Sequence, residues 1–134
     1  MRTTLKSVLY FCLLSFIFIR CEKEDPGKEM KIIFKTENGY TSSDTSLDGG
    51  STFKIGVEAE TEKSKDPLIK FNITESLNGG AVKSVYSENI NTTKYGHDET
   101  FILDTIKGNV HKYTFTITNR DGFNKQASLS VSVK

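Results

Sequence analysis

The densest group of side chains that could do chemistry in this chain is the triplet His97, Asp98 and Glu99. An imidazole beside two carboxylates could ligate a metal ion or transfer protons. Neighbouring residues of a strand point to opposite faces, however, so the three side chains cannot easily converge on one ion. We interpret the triplet as part of a solvated loop before a strand, and His111 at a strand start as a surface imidazole.

Two oxygen-rich stretches could suit calcium. Asp44 and Asp48 lie in the first, and Asn119, Asp121 and Asn124 lie in the second. Carboxylate and amide oxygens are the ligands that calcium takes, but the spacing does not match the twelve-residue helix–loop–helix calcium pattern. The same residue types are those that turns require. We expect turns at both places and no metal site.

Patterns for catalysis are missing from the sequence. No G-x-S-x-G elbow occurs, and no glycine-rich phosphate loop leads from a strand into a helix. Pairs of Asp and Glu can be combined too freely to indicate glycoside hydrolysis. We therefore expect no catalytic residues, no cofactor and no enzymatic activity.

Cys21 has a distinctive setting. A short basic start with Arg2 and Lys6 precedes an apolar run over residues 8–19, and a charged cluster follows the cysteine. These are the parts of a secretory signal, and the run is shorter than the roughly twenty residues that span a bilayer. The cysteine suggests a lipid-modified N-terminus. The alternative is an ordinary signal peptide, although no small-x-small cleavage site lies nearby.

This segment resembles a bacterial lipoprotein signal, in which the cysteine after the apolar run is acylated and becomes the first mature residue. Arg20 and Phe18 stand where that pattern usually has a small residue and a leucine. The charged cluster resembles the export signal of surface lipoproteins of the Bacteroidota, and it comprises Glu22, Lys23, Glu24 and Asp25. The resemblance implies acyl chains such as palmitate on Cys21 and display on the cell surface at the bacterial outer membrane. Residues 1–20 would be the signal peptide and residues 21–30 the anchor and tether.

The charge of the remaining chain argues against nucleic acid as a partner. Loss of residues 1–20 reduces the 18 basic side chains to 15, against 17 acidic ones, which is a formal charge of −2. Nucleic-acid binding would require a basic face. Cys12 is lost with the apolar run, so Cys21 has no disulfide partner in the mature chain.

Beyond the tether, apolar residues alternate with polar ones at the period of β-strands. We predict seven strands, over residues 31–36, 52–60, 68–75, 81–86, 100–106, 112–119 and 125–133. The sequence Asn78-Gly79-Gly80 indicates a tight hairpin. Residues 81–86 are expected to form a short edge strand, and residues 89–98 a polar loop. In the fifth strand, either Phe101 and Leu103 or Ile102 would face inward.

Alternation of this kind is typical of antiparallel sheets with one buried face. Two such sheets must cover each other, so we predict an all-β, seven-stranded antiparallel immunoglobulin-like β-sandwich over residues 31–134. Residues 113–122 and 127–133 resemble the closing hairpin of bacterial Ig-like, polycystic-kidney-disease-like and cadherin-like domains. Residues 69–80 resemble the middle hairpin of small Ig-like lipoproteins of the Bacteroidota. The Cys…Trp…Cys pattern of antibody domains is missing, and Phe71 and Phe115 would be its apolar replacements. Tyr113 would form a tyrosine corner with a backbone partner.

These features predict a lipid-anchored, non-enzymatic accessory or interaction module. One hypothesis is a protein partner that contacts the exposed edge strand near residues 81–86. The alternative is glycan binding, as in the accessory lipoproteins of polysaccharide uptake systems. In that case Tyr95 and Phe123 would be the ligand contacts, because exposed aromatic rings stack on sugars.

Overall fold

A computed structural model describes residues 29–134, and this part of the chain folds as an all-β sandwich of eight strands. The predicted signal peptide, Cys21 and the cluster of residues 22–25 lie outside the described residues. The strands are β1 (Met30–Phe34), β2 (Thr45–Leu47), β3 (Thr52–Thr61), β4 (Leu68–Leu77), β5 (Val82–Thr92), β6 (Lys94–Ile102), β7 (Val110–Asn119) and β8 (Asn124–Val133). Within residues 29–134, no helix is long and apolar enough to cross a membrane.

The strands form two sheets that pack face to face. The smaller sheet has the order β1-β3-β6, and the larger has the order β2-β8-β7-β4-β5. In the part of the chain that the structure describes, sixteen apolar side chains are buried, among them Ile55, Phe71 and Phe115, which are completely inaccessible. Phe34 of the smaller sheet meets Phe115 of the larger one edge to face, with ring centroids 5.7 Å apart. Burial of the alternating apolar residues from both sheets therefore holds the layers together.

The sandwich class is confirmed, and the strand count needs correction. β2 is an additional strand of three residues, and it pairs with β8 in parallel, with Thr45 opposite Val131. The fold is therefore eight-stranded and not purely antiparallel. Thr-Ser-Leu carries no alternating pattern of its own. Its place is determined by the partner strand, since Leu47 accepts a 2.9 Å hydrogen bond from the Lys134 amide.

The predicted polar loop over residues 89–98 is wrong. β5 continues to Thr92, and β6 begins at Lys94, so the chain changes sheets within a single residue, Thr93. The predicted fifth strand therefore begins earlier and ends at Ile102. This stretch lacks apolar alternation because each strand lies at the edge of its sheet, where burial of every second residue is not required.

Two finer predictions are resolved by the backbone and by burial. Asn78 and Gly79 both have positive φ, 52° and 71°, as the central residues of a type I′ turn require. The Gly80 amide donates to the Leu77 carbonyl across this turn, and the turn joins β4 to β5, so the predicted hairpin is confirmed. In β6, Phe101 faces inward, whereas Ile102 is 75% exposed.

Candidate functional site

The most distinctive surface is one open side of the sandwich, where β5 ends the larger sheet and β6 ends the smaller one. Among the described residues, β5 pairs with β4 and β6 pairs with β3, so each strand has one edge without a partner. Because only Thr93 separates the two strands, their free edges border the same opening. We call this region the β5–β6 side.

Aromatic rings fill the β5–β6 side. Phe71, which is completely buried, contacts Tyr95 at a centroid distance of 5.0 Å and His97 at 5.1 Å. Tyr86 of β5 reaches across to His97 of β6 at 4.3 Å. These rings come from strands of both sheets, so they close the side of the core while leaving the polar ends of Tyr86 and Tyr95 near the surface.

Glu88 connects the two tyrosines. Its carboxylate accepts a hydrogen bond from the Tyr95 hydroxyl at 2.5 Å and another from the Tyr86 hydroxyl at 3.0 Å. These two hydrogen bonds lower the pKa of Glu88 below its usual value, and the bond from Tyr95 has the larger effect. Burial, and then the bond to Glu88, raises the pKa of Tyr95. The arrangement keeps a carboxylate ionised next to neutral phenols.

The triplet His97, Asp98 and Glu99 lies on β6 and not in a loop. His97 Nε2 is 2.9 Å from a Glu99 carboxylate oxygen, and both side chains face the β5–β6 side. Asp98 points to the other face, as the alternation of the strand requires. The three side chains therefore do not converge on one point, as expected, while the solvated-loop interpretation is wrong.

Asp98 belongs to a separate cluster on the outer face of the smaller sheet. It accepts hydrogen bonds from Lys35 Nζ at 2.7 Å and from the Tyr40 hydroxyl at 2.8 Å. The bond from Lys35, followed by that from Tyr40, lowers the pKa of Asp98. The Tyr40 ring lies over Gly56, where a Cβ atom would come within 2.5 Å of it. Next to this cluster is an open groove of about 510 Å³, whose lining includes Lys31, Glu58, Glu60, Lys94 and Gly96.

The interpretation of His111 as a surface imidazole is wrong. The residue is 7% exposed, and its ring lies between two carboxylates, with Nδ1 2.6 Å from Glu75 and Nε2 2.8 Å from Asp104. Burial and the neighbouring Glu75 carboxylate raise the pKa of Tyr113. The predicted tyrosine corner placed this hydroxyl against a backbone group, whereas Glu75 is its structural neighbour. His111 and Glu75 are 36 residues apart in the sequence, so no local pattern signals this contact.

The predicted ligand contacts differ in their surroundings. Tyr95 packs on Phe71 and bonds Glu88, whereas Phe123 is 39% exposed at the β7–β8 turn.

The oxygen-rich residues take structural roles. Asp44 accepts a hydrogen bond from the Ser130 amide, and Asn119 accepts one from the Phe123 amide. Within residues 29–134, no three His, Cys, Asp or Glu side chains are grouped so that they could hold a metal ion.

The fold on which this side is built is shared with distant solved structures. No family model and no curated protein matches the chain. The superoxide reductase (neelaredoxin) of Ignicoccus hospitalis matches with a TM-score of 0.56 and 10% identity, covering 86% of this chain and 91% of that one. The CARDB domain of a Pyrococcus furiosus protein matches with a TM-score of 0.46 and 9% identity, covering 79% and 96%. At these identities the likeness concerns the fold alone, and the class of the described chain is an all-β sandwich of two sheets.

Proposed function

We propose that the protein is a lipid-anchored interaction module displayed at the bacterial cell surface. The anchor part of this proposal is supported by the sequence of the segment before the sandwich, with Cys21 as the acylated residue. The role is non-enzymatic. Two acyl chains or more suffice for stable attachment, since each buried methylene contributes about 0.8 kcal/mol.

The observation that supports the interaction role is the pair of free strand edges at the β5–β6 side. β5 is eleven residues long, and Val82 on it is 68% exposed. An unpaired edge exposes backbone donors and acceptors that another chain can use.

The anchor is tested by mass spectrometry of the mature N-terminus. We expect a first residue Cys21 that carries acyl chains, and we expect the protein to partition into the detergent phase. A Cys21→Ser variant should partition into the aqueous phase. An unmodified Cys21, or a mature chain that begins elsewhere, would rule out the anchor.

The interaction role is tested with a photo-crosslinking amino acid placed at single positions in intact cells. Ser84 on β5 and Thr100 on β6 lie on edge strands, whereas Lys112 lies on β7, between β4 and β8. We expect a discrete crosslinked product from an edge position and none from position 112. Equal labelling from all three positions would contradict a defined interface.

Glycan binding is the second candidate, and the exposure of Phe123 favours it. An aromatic ring at the tip of a hairpin can stack on a sugar face. A glycan array that gives signals lost on Phe123→Ala would support this candidate. Because Tyr95 packs on Phe71 and is hydrogen-bonded to Glu88, loss of the signals on Tyr95→Ala needs a separate check that the fold is retained.

A further inference from the structure

The two free edges of the β5–β6 side differ in regularity. The β4–β5 ladder has two register shifts, one at Val85 and one between Asn89 and Thr92. Such bulges twist a strand and interrupt its edge, which is a common protection against strand addition. The β3–β6 ladder runs from Thr52 opposite Ile102 to Glu60 opposite Lys94 in unbroken register. β6 is therefore the regular edge, although it was not the one expected from sequence.

Along β6, every second residue forms its backbone hydrogen bonds with β3, and the bonds at the two ends of the ladder show which residues these are. Thr61 donates to the Thr93 carbonyl at 2.9 Å, and Leu103 donates to the Ser51 carbonyl at 2.9 Å. Odd-numbered residues of this segment thus face β3, and in an antiparallel ladder the alternate residues face away. The amide and carbonyl of Lys94 are bonded to the Thr92 hydroxyl. The amides and carbonyls that point away from β3 beyond it belong to Gly96, Asp98, Thr100 and Ile102.

The side chains that an added strand would meet are acidic and aromatic on the inner face. Tyr95, His97 and Glu99 of β6 point toward the β5–β6 side, where Glu88 also lies. A lysine or arginine on an added strand could pair with Glu99 or Glu88 and approach the tyrosine rings. A second copy of this chain would instead bring its own Glu88 and Glu99 carboxylates to this side, which is unfavourable.

We propose that the free edge of β6 accepts an extended segment of a partner protein as an additional antiparallel strand, with basic side chains at the positions that face Glu88 and Glu99. The backbone of Gly96, Asp98, Thr100 and Ile102 provides the hydrogen bonds, and the carboxylates select the basic residues. This inference rests on the proposed interaction role and identifies the edge and the chemistry of the partner.

The probe for the test is the acetylated and amidated peptide Thr-Lys-Thr-Lys-Thr-Lys-Thr, titrated into the purified full chain in detergent. We expect slower hydrogen exchange at the Gly96, Asp98 and Thr100 amides when the peptide is bound. The same peptide with Glu in place of Lys should not bind. No binding of the lysine peptide at millimolar concentration, or protection on β5 instead of β6, would overturn the proposal.

Thr100 provides a matched pair of variants. Thr100→Pro removes an amide that faces away from β3, which an edge strand tolerates, and it should weaken the peptide at least about tenfold by removing a hydrogen bond and adding a clash. Thr100→Ala keeps the amide and should bind as the parent does. Unchanged affinity in a folded Thr100→Pro variant would overturn strand addition at β6. Glu99→Gln, which keeps a hydrogen-bonding group beside His97, should weaken the peptide about two- to fivefold.

Two further results separate this inference from the proposed function. A crosslink in cells from position 84 but not from position 100 would retain an interaction module and exclude β6 as its edge. A concentration-dependent dimer in analytical ultracentrifugation that Thr100→Pro abolishes would assign the edge to a second copy and overturn the basic partner.

Discussion

Single side chains illustrate how the same residue type takes different roles in this sandwich. His97 pairs with one carboxylate beside the aromatic rings of the β5–β6 side. His111 bridges two carboxylates, that of Glu75 on β4 and that of Asp104 in the β6–β7 connection. Both ring nitrogens of His111 lie within hydrogen-bond distance of a carboxylate oxygen. The bridge joins one end of the larger sheet to a loop.

Replacement of His111 tests the importance of this bridge. His111→Leu leaves Glu75 and Asp104 facing each other without the ring, and we expect a loss of about 1–3 kcal/mol in the free energy of unfolding. Urea unfolding followed by circular dichroism measures it. The double variant His111→Leu, Asp104→Asn should recover part of the loss, because it removes the repulsion between the carboxylates. Full stability in His111→Leu would show that the bridge contributes nothing.

In the smaller sheet, the space around a glycine decides whether a larger side chain can replace it. Gly56 of β3 lies opposite Asp98, and Gly96 of β6 lies opposite Glu58. The two glycines are therefore diagonal neighbours on the same outer face. A Cβ atom on Gly56 would come within 2.5 Å of Tyr40, 2.7 Å of Lys35 and 2.8 Å of Asp98. A Cβ atom on Gly96 would meet nothing closer than a Val57 carbonyl oxygen at 3.8 Å.

The two glycines therefore form a matched pair. Gly56→Ala should displace Tyr40 and its bond to Asp98, with a cost of about 1–3 kcal/mol, as for other overpacked sites. Gly96→Ala should change stability by less than about 1 kcal/mol, in the stabilising direction, because it reduces the freedom of the unfolded chain. Thermal melts of the two variants compare them directly. Equal melting temperatures would contradict the assigned packing of Tyr40.

At the scale of the whole molecule, the aromatic core joins the two sheets. Phe115 is completely buried and contacts Phe34 and Phe71. Phe115→Ala should lower the free energy of unfolding by about 3–5 kcal/mol, a large part of the roughly 5–15 kcal/mol that stabilises a typical domain. Phe123→Ala at the exposed turn is the control and should change it by less than about 1 kcal/mol. Urea midpoints that shift equally would show that Phe115 is not central to the core.

Acid stability is a second property of the whole molecule. Hydrogen bonds lower the pKa values of Glu88, Asp98 and Asp104 in the folded state. The unfolded values are about 3.9 for Asp and about 4.3 for Glu. A lowered folded pKa adds stability that is present above the unfolded value and is lost as the pH falls through the folded value. We expect unfolding to become easier below about pH 4.

Asp98→Asn tests this acid dependence, because it removes one of the three groups. The variant should show a smaller drop in urea midpoint between pH 7 and pH 3 than the parent chain. Tyr40→Phe, which keeps the Lys35 bond but removes the hydroxyl donor to Asp98, should give an intermediate drop. Parallel pH profiles for all three proteins would contradict the role of Asp98.

Alternation along the chain was sufficient to predict the central strands. β3, β4, β7 and β8 lie close to their predicted ranges, and the Asn78-Gly79 turn has the expected backbone. Each of these strands buries every second residue against the opposite sheet, so the sequence must carry the pattern. The candidate site was predicted less well. Tyr95 was selected and lies within the β5–β6 side, whereas Glu88 and the pairing of His97 with Glu99 were not predicted.

By itself, the sequence determined the class of fold, the identity of the core residues in the central strands and the positions of the tight turns, because burial of alternate side chains is a local requirement. Only the tertiary structure decided that β2 pairs in parallel with β8, that the chain changes sheets at Thr93, that His111 is buried between Glu75 and Asp104, and that β6 has the regular free edge. These features depend on contacts between distant parts of the chain and on edge positions where solvent accepts either a strand or a loop. No periodicity records such contacts.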